Sequence, residues 1–339
     1  MLRLLSLFLV MFCIVGIAGA GSLDIPVHGY GLSFGNSTEF SGLRFNWRDH
    51  DLQRIDGITV SFWAPDKHPT GTIRGLSLGL CGTAAEQIEG ISLNLGGMAS
   101  DEFRGIGIAG LGAGVGDLDG VMITGLGLGA NDVRGIVLAG LGGGVGDLDG
   151  VMIAGLGLGA DDVRGIMLAG LGAGADDITG IAVGGLGFGA DDITGLVVAG
   201  LGAGCDTMTG VGIAGLGFGG DSLTGLYMAG LGLGGDHLTG VMAAGLGVGG
   251  DTLEGLFVSG LVLGGDDLQG AFFTGAYLRS ERLVGVGSAA YNRVREVHGL
   301  QLGVFNRADE LHGVQIGLIN WAGNNPRGLQ ITPGINVHF

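Results

Sequence analysis

Aliphatic residues recur along most of the chain at fixed offsets from a glycine that returns every 15 residues. From Gly90 to Gly285 this glycine never slips. Taking it as position 0, positions 1 and 3 are aliphatic in nearly every unit, as in Ile181/Val183, Leu196/Val198 and Val241/Ala243. Position 6 is Leu in unit after unit, position 13 is again aliphatic, and positions 5, 7 and 9 are mostly Gly. Alternation of this kind marks β-strand. The Gly-Ala-Asp-Asp and Gly-Gly-Asp segments punctuate it as tight turns. Each unit is therefore one long strand plus a turn, or one coil of a thin solenoid. Looser copies begin at Gly31, Gly42, Gly57 and Gly75, and closing copies at Gly285, Gly299, Gly313 and Gly328. Self-similarity at one period makes residues 21–339 a single repeat domain. It has irregular units over 21–89, regular repeats over 90–284 and variant closing repeats over 285–339.

Two all-β architectures fit this pattern. The leading expectation is an antiparallel up-and-down outer-membrane β-barrel of about 20 strands. In such a meander an Asp-Asp turn pairs position 7 with 1 and 5 with 3. Nearly every bulky residue then faces a glycine, as Gly187 would face Leu196, and such cross-strand complementarity stabilises sheets. Position 8 alternates small and large (Ala113, Leu128, Gly143, Leu158, Ala173, Phe188, Ala203, Phe218), as up- and down-strands would require. The last residues, Leu329 to Phe339, alternate apolar and polar and end in Phe, like the closing strand of bacterial outer-membrane barrels. The alternative is a β-solenoid with 15 residues per coil. There positions 1, 3, 6, 8 and 13 are expected to point inward. Position 2 (Met122, Val137, Met152, Met167, Val197, Tyr227, Met242, Phe257, Phe272) would then form an apolar stripe facing water. The flanking units are polar at positions 2 and 4: Arg44/Asn46, Thr59/Ser61, Gln301, Gln315 and Gln330.

Composition narrows the function classes. Of 339 residues 79 are Gly, which disfavours helix at about 1 kcal/mol per residue. Hydrophobic residues make up 46%, too many for a solvated coil. The net charge is −17 and Lys67 is the sole lysine, which argues against a nucleic-acid partner. Residues 1–20 carry Arg3, an apolar run from Leu4 to Ile17 and an Ala18-Gly19-Ala20 cleavage site. They read as a cleaved signal peptide. The mature chain keeps Cys81 and Cys205, enough for one disulfide or for two free thiols.

The closing units, GLQLGVFNRADELHGVQIGLINWAGNNPRGLQITPGINVHF, resemble the tandem GVQIGLIN-type repeats of Gly-rich bacterial surface-repeat proteins. The central units resemble a Gly-rich version of the same repeat but lack its Gln and Asn. The resemblance implies a cell-envelope location in a double-membrane bacterium, outer membrane or surface, and implies no catalytic residues.

Candidate chemistry is sparse. GxSxG occurs at Ser33 and Ser77, but each Ser is position 2 of a repeat and no helix follows, as a nucleophile elbow requires. GxGxxG matches are everywhere in register and so are structural. The seven His show no ligand spacing. No catalytic or cofactor-binding residue is assigned, and the chain reads as a non-enzyme. One metal candidate is a calcium ladder at position 11: Asp161, Asp176, Asp191, Asp206, Asp221, Asp236, Asp251 and Asp266. Stacked carboxylates repel, and Ca²⁺ takes oxygen ligands. The partners expected are outer-membrane lipid and the assembly machinery for the barrel. That fold allows a pore role, although its apolar faces argue against one. For the solenoid the expected partner is one that covers an apolar stripe. Trp47, Trp63 and Trp321 suit a membrane interface or end-cap packing.

Overall fold

The computed structural model describes residues 21–27, 30–63 and 70–339, so the signal peptide expected at 1–20 lies outside the described residues. The chain divides into two units between Gly170 and Leu171. Each is all-β and each is a parallel β-solenoid, with about 19 turns between them. The expected barrel is thereby corrected. Strands pair with the equivalent residues of the next repeat, parallel and in register: Gly120↔Gly135 and Leu118↔Val133 in the first unit, Gly195↔Gly210 and Ile193↔Met208 in the second. Among the described residues antiparallel pairing occurs only at the two ends. Ser22–Val27 pairs with Tyr30–Gly35, and Ile331–His338 pairs with Phe305–Ala322. The alternating C-terminal segment is thus a cap on the last coil, covering a sheet edge that would otherwise be open.

A coil consists of a short strand at positions 7–9 and a long strand from position 12 to position 4 of the next unit. Gly157–Gly159 followed by Asp162–Ala169 shows the pair. In most coils the two run on as one 13-residue strand, such as Gly187–Ala199, and the chain breaks only at the corner of positions 5 and 6. The leading glycine explains the unbroken period. Gly195 has φ +142°, and a Cβ there would strike the carbonyl oxygen of Gly180 one coil earlier. The same conformation and the same collision recur at Gly105, Gly120 and Gly135 in the first unit and at Gly210, Gly225 and Gly240 in the second. Only glycine tolerates both the positive φ and the backbone approach.

The inward set differs from the expected one. Positions 13, 2, 4 and 8 are buried, while 1, 3 and 6 face out. Met122, Val137, Met152 and Met167 in the first unit are fully buried, as are Tyr227, Met242, Phe257 and Phe272 in the second. Positions 12, 14, 1 and 3 share one parity along the strand, and the polar residues at 12 and 14 carry 1 and 3 outward with them. Position 8 packs across the thin core against position 2 of the next unit. A Cβ on Gly143 would run into the Met152 methyl, and the rings of Phe218 and Tyr227 meet edge to face with centroids 5.3 Å apart. Gly212 makes the room for both rings, since a Cβ there would strike Tyr227 and Phe218, and this keeps packing dense inside a coil of constant girth.

The polar positions of the flanking units are interior too. Arg44 is fully buried, and its Nη1 donates to Asp49 Oδ1 at 2.6 Å. Asn46 and Ser61 donate to the same carboxylate at 2.8 and 2.7 Å, so the buried charges are paired and hydrogen-bonded as burial demands. In the second unit Asn292 donates to Asn306, and Asn306 to Asn320, each at 2.7 Å, while Gln315 donates to Gln301 at 2.8 Å. An amide both donates and accepts, so identical residues stacked one coil apart satisfy one another.

Candidate interaction surface

The outward parity puts a large apolar area on each unit. Position 6 builds a leucine row. In the second unit it runs Leu171, Leu186, Leu201, Leu216, Leu231, Leu246 and Leu261, each 45–50% exposed. The backbone fixes the row: from Leu186 to Leu261 each leucine donates its N–H to the carbonyl of the previous one at 2.6–2.9 Å. The first unit has Leu111, Leu126, Leu141 and Leu156 in the same arrangement. Beside the row, positions 1 and 3 add Ile106, Ile108, Ile136 and Leu138 in the first unit and Leu226, Met228, Leu256 and Val258 in the second, all exposed. Scattered exposed leucines need no explanation, but a continuous apolar area of this size does. The apolar stripe expected at position 2 therefore exists, but at 1, 3 and 6.

The far side of the same strand face is charged. In the first unit position 14 reads Arg104, Asp119, Arg134, Asp149, Arg164, adjacent in register. Alternating signs one coil apart attract along the row. Position 12 is acidic throughout that stretch: Glu102, Asp117, Asp132, Asp147 and Asp162.

The candidate calcium ladder lies on exposed corners, one Asp per coil. Asp161 belongs to the first unit; Asp176, Asp191, Asp206, Asp221, Asp236, Asp251 and Asp266 belong to the second. The Asp251 N–H donates to Asp236 O at 3.1 Å and Asp266 N–H to Asp251 O at 2.9 Å, so the corners stack directly. Among the described residues no group of three or more His, Cys, Asp or Glu is placed to hold a metal ion.

The two GxSxG serines are core residues. Ser33 and Ser77 are fully buried, and Ser77 donates to Ser92 at 2.7 Å. Cys81 is exposed and Cys205 buried, and both thiols are free. Burial, followed by the carboxylates of Asp206, Asp192 and Asp221, pushes the Cys205 thiol up to about 11. Trp47 and Trp63 stack nearly parallel with centroids 6.2 Å apart, and Trp321 lies 4.6 Å beneath the Arg307 guanidinium.

Stacking also assembles residues that linear spacing does not connect. The His298 and His312 rings stack at 4.8 Å, and His338 of the capping strand lies edge-on to His312 at 6.1 Å. His298 sits 2.7 Å from Glu296 and holds that carboxyl below its usual range. His298 and His312 each directly precede a leading glycine, a signal readable once stacking is parallel, whereas His338 is brought beside them by the antiparallel cap. Comparison with protein-family models, with curated proteins and with solved structures finds no match.

Proposed function

We propose that the chain is an exported, non-catalytic structural repeat protein of the bacterial envelope that pairs with a second copy of itself through its leucine face. The observation that carries this reading is the leucine row of the second unit. Seven coils at about 4.8 Å, crossed by positions 1 to 6 at about 3.3 Å per residue, span roughly 600 Å². Two such faces bury about 1,200 Å², the lower end of stable interfaces. The first unit, taken by itself, carries an alternating charge row on the same strand face as its own leucines, and such a row favours a like partner over lipid. Two antiparallel copies of Arg104-Asp119-Arg134-Asp149-Arg164, offset by one coil, set every internal Arg against an Asp. A net charge of −17 opposes attraction to an anionic bilayer. The apolar run and small-residue cleavage site at 1–20, with the resemblance to surface-repeat proteins, support export.

Sedimentation of the mature chain tests the pairing. A dimer is expected that reverts to monomer in the triple variant Leu201→Gln, Leu216→Gln, Leu231→Gln, whose sites are exposed and whose fold should persist. A monomeric wild type at tens of micromolar refutes self-association. Flotation of that monomer with neutral vesicles would transfer the face to lipid. Recovery of an uncleaved N-terminus in the cytoplasm refutes export.

A further inference from the structure

The outer row of the short strand changes character near the end of the second unit. It is glycine through seven coils, Gly174, Gly189, Gly204, Gly219, Gly234, Gly249 and Gly264, and then becomes Arg279, Arg293 and Arg307. The register is continuous: Gly264 is adjacent to Arg279, Arg279 to Arg293 and Arg293 to Arg307. Parallel in-register stacking therefore sets three guanidinium side chains on one face, one coil apart, at about 4.8 Å between backbones. Like charges in directly opposed positions destabilise a sheet unless something neutralises them.

Internal carboxylates neutralise only part of this charge. Arg307 Nη2 lies 3.5 Å from Asp309, and its guanidinium also rests on Trp321. On the corner row, Arg295 pairs with Glu281 at 2.9 Å. None of the ion pairs among the described residues uses Arg279 or Arg293. The two line a cleft of about 390 Å³ together with Gly250, Gly264, Gly265 and Asp266. Counting the pairs already made, the cleft retains two guanidinium groups against one carboxylate. Gly264, adjacent to Arg279 in the same outer row, leaves open space beside the arginine stems. The chain has only 15 Lys and Arg against 32 Asp and Glu, so this concentration of cations runs against its overall balance.

From this we infer that the cleft binds an oxyanion, a phosphate or sulfate group, between Arg279 and Arg293. The guanidinium fork matches such groups in a bidentate manner, and charge-assisted hydrogen bonds of this type are about twice as strong as neutral ones. The group can come from free phosphate or from a sulfated glycan, and both present the same oxygens to the same forks.

Isothermal titration of the mature chain at low ionic strength, with inorganic pyrophosphate and separately with a heparin-derived tetrasaccharide, tests this. At least one is expected to bind, with affinity falling as salt rises. Arg279→Gln with Arg293→Gln should weaken binding at least about tenfold, whereas Arg295→Gln, which removes an arginine already paired, should change it far less. Arg279→Lys with Arg293→Lys keeps the charge without the forks and should fall between. Circular dichroism matching wild type separates lost binding from lost fold. Preference for pyrophosphate assigns the site to free phosphate, and preference for the tetrasaccharide to a sulfated glycan. No binding to wild type, an unaffected double variant or an equal loss in Arg295→Gln overturns the inference.

Discussion

The Tyr227 ring fills the space above Gly212, one coil earlier. A Cβ on Gly212 would lie 2.5 Å from Tyr227 Cδ1 and 2.7 Å from Phe218 Cε2. Tyr227 is fully buried, and its hydroxyl donates to the Met208 carbonyl at 2.8 Å. The ring therefore has one position, and a glycine beneath it keeps that position open. Gly107 makes the same room for Met122 in the first unit. Gly212→Ala should destabilise the protein by about 1–3 kcal/mol, the usual cost of overpacking a tight core. Pairing it with Tyr227→Leu should recover much of that loss. Urea unfolding of the two single variants and the double variant gives the coupling, and strict additivity would show that the two side chains do not compete for space.

Glycines in one coil are not equivalent. Gly195 has φ +142° with the Gly180 carbonyl against it, whereas a Cβ on Gly189 would meet nothing within 4 Å. Gly195→Ala should cost several kcal/mol, combining a strained backbone with a collision that only a shift of the neighbouring coil relieves. Gly189→Ala should be neutral or stabilising by up to about 1 kcal/mol, because the unfolded chain loses freedom. Melting temperatures of the two variants, measured side by side, check the contrast. Similar losses in both would mean that the short strand carries its own backbone constraint.

Much of this architecture was legible in the sequence, and what was not has a definite physical cause. The 15-residue period, the glycine at its head and the Asp corner are readable, because each answers to a local conformational demand. Inside and outside were harder. Positions 1, 2 and 3 are all apolar in units such as Ile181-Ala182-Val183, so alternation there has no visible phase. The phase is set by the polar position 14, occupied by Thr179 and Thr194, which shares its parity with 1 and 3. Treating the largest aliphatic residues as interior reversed it, since burial of apolar residues is a one-way rule. The barrel was attractive because opposing bulk to glycine works for antiparallel neighbours as well as for a thin parallel coil. The repeated Asn292, Asn306 and Asn320 distinguish the two, because identical amides satisfy one another only when stacked in register. The leucine row is visible as a pattern, but apolarity alone points it toward the core. The arginine row was missed because its residues are 14 apart and mean nothing until coils are stacked.

Thiol chemistry should separate the two cysteines. Cys81 is exposed, and Cys205 is buried with its thiol pushed up to about 11. Iodoacetamide at pH 8 should modify Cys81 in the native protein and reach Cys205 only after denaturation, since the thiolate is the reactive form. An acid whose folded pKa is raised lends stability that is intact below its unfolded value, near 8.5, and is lost as pH climbs toward the folded value. Stability should therefore fall between about pH 8.5 and 11, and Cys205→Ala should flatten that part of the curve. Mass spectrometry of labelled peptides and denaturant melts across the alkaline range read both effects. Rapid native labelling of Cys205 would contradict its burial.

The acidic corners make the last prediction. In the second unit Asp176, Asp191, Asp206, Asp221, Asp236, Asp251 and Asp266 occupy one corner row, and the hydrogen bonds from Asp251 to Asp236 and from Asp266 to Asp251 fix the coils in contact there. Parallel stacking places neighbouring corners about 4.8 Å apart, well inside the screening length of about 8 Å at physiological salt. The carboxylates therefore repel along the whole row, and the unfolded chain, which separates them, escapes that repulsion. Exposed side chains lean apart and water screens them, so each pair contributes modestly, but the effect accumulates along the row. Raising sodium chloride from 20 mM to 0.5 M should raise the melting temperature by several degrees, and Asp221→Asn with Asp251→Asn should shrink that gain. The described residues offer no cluster of three acidic, Cys or His ligands for a metal. Calcium chloride at matched ionic strength should then stabilise little more than magnesium chloride does. A calcium-specific rise of many degrees, abolished by the Asn variants, would instead make the corner row a genuine calcium ladder, with ions bridging successive coils.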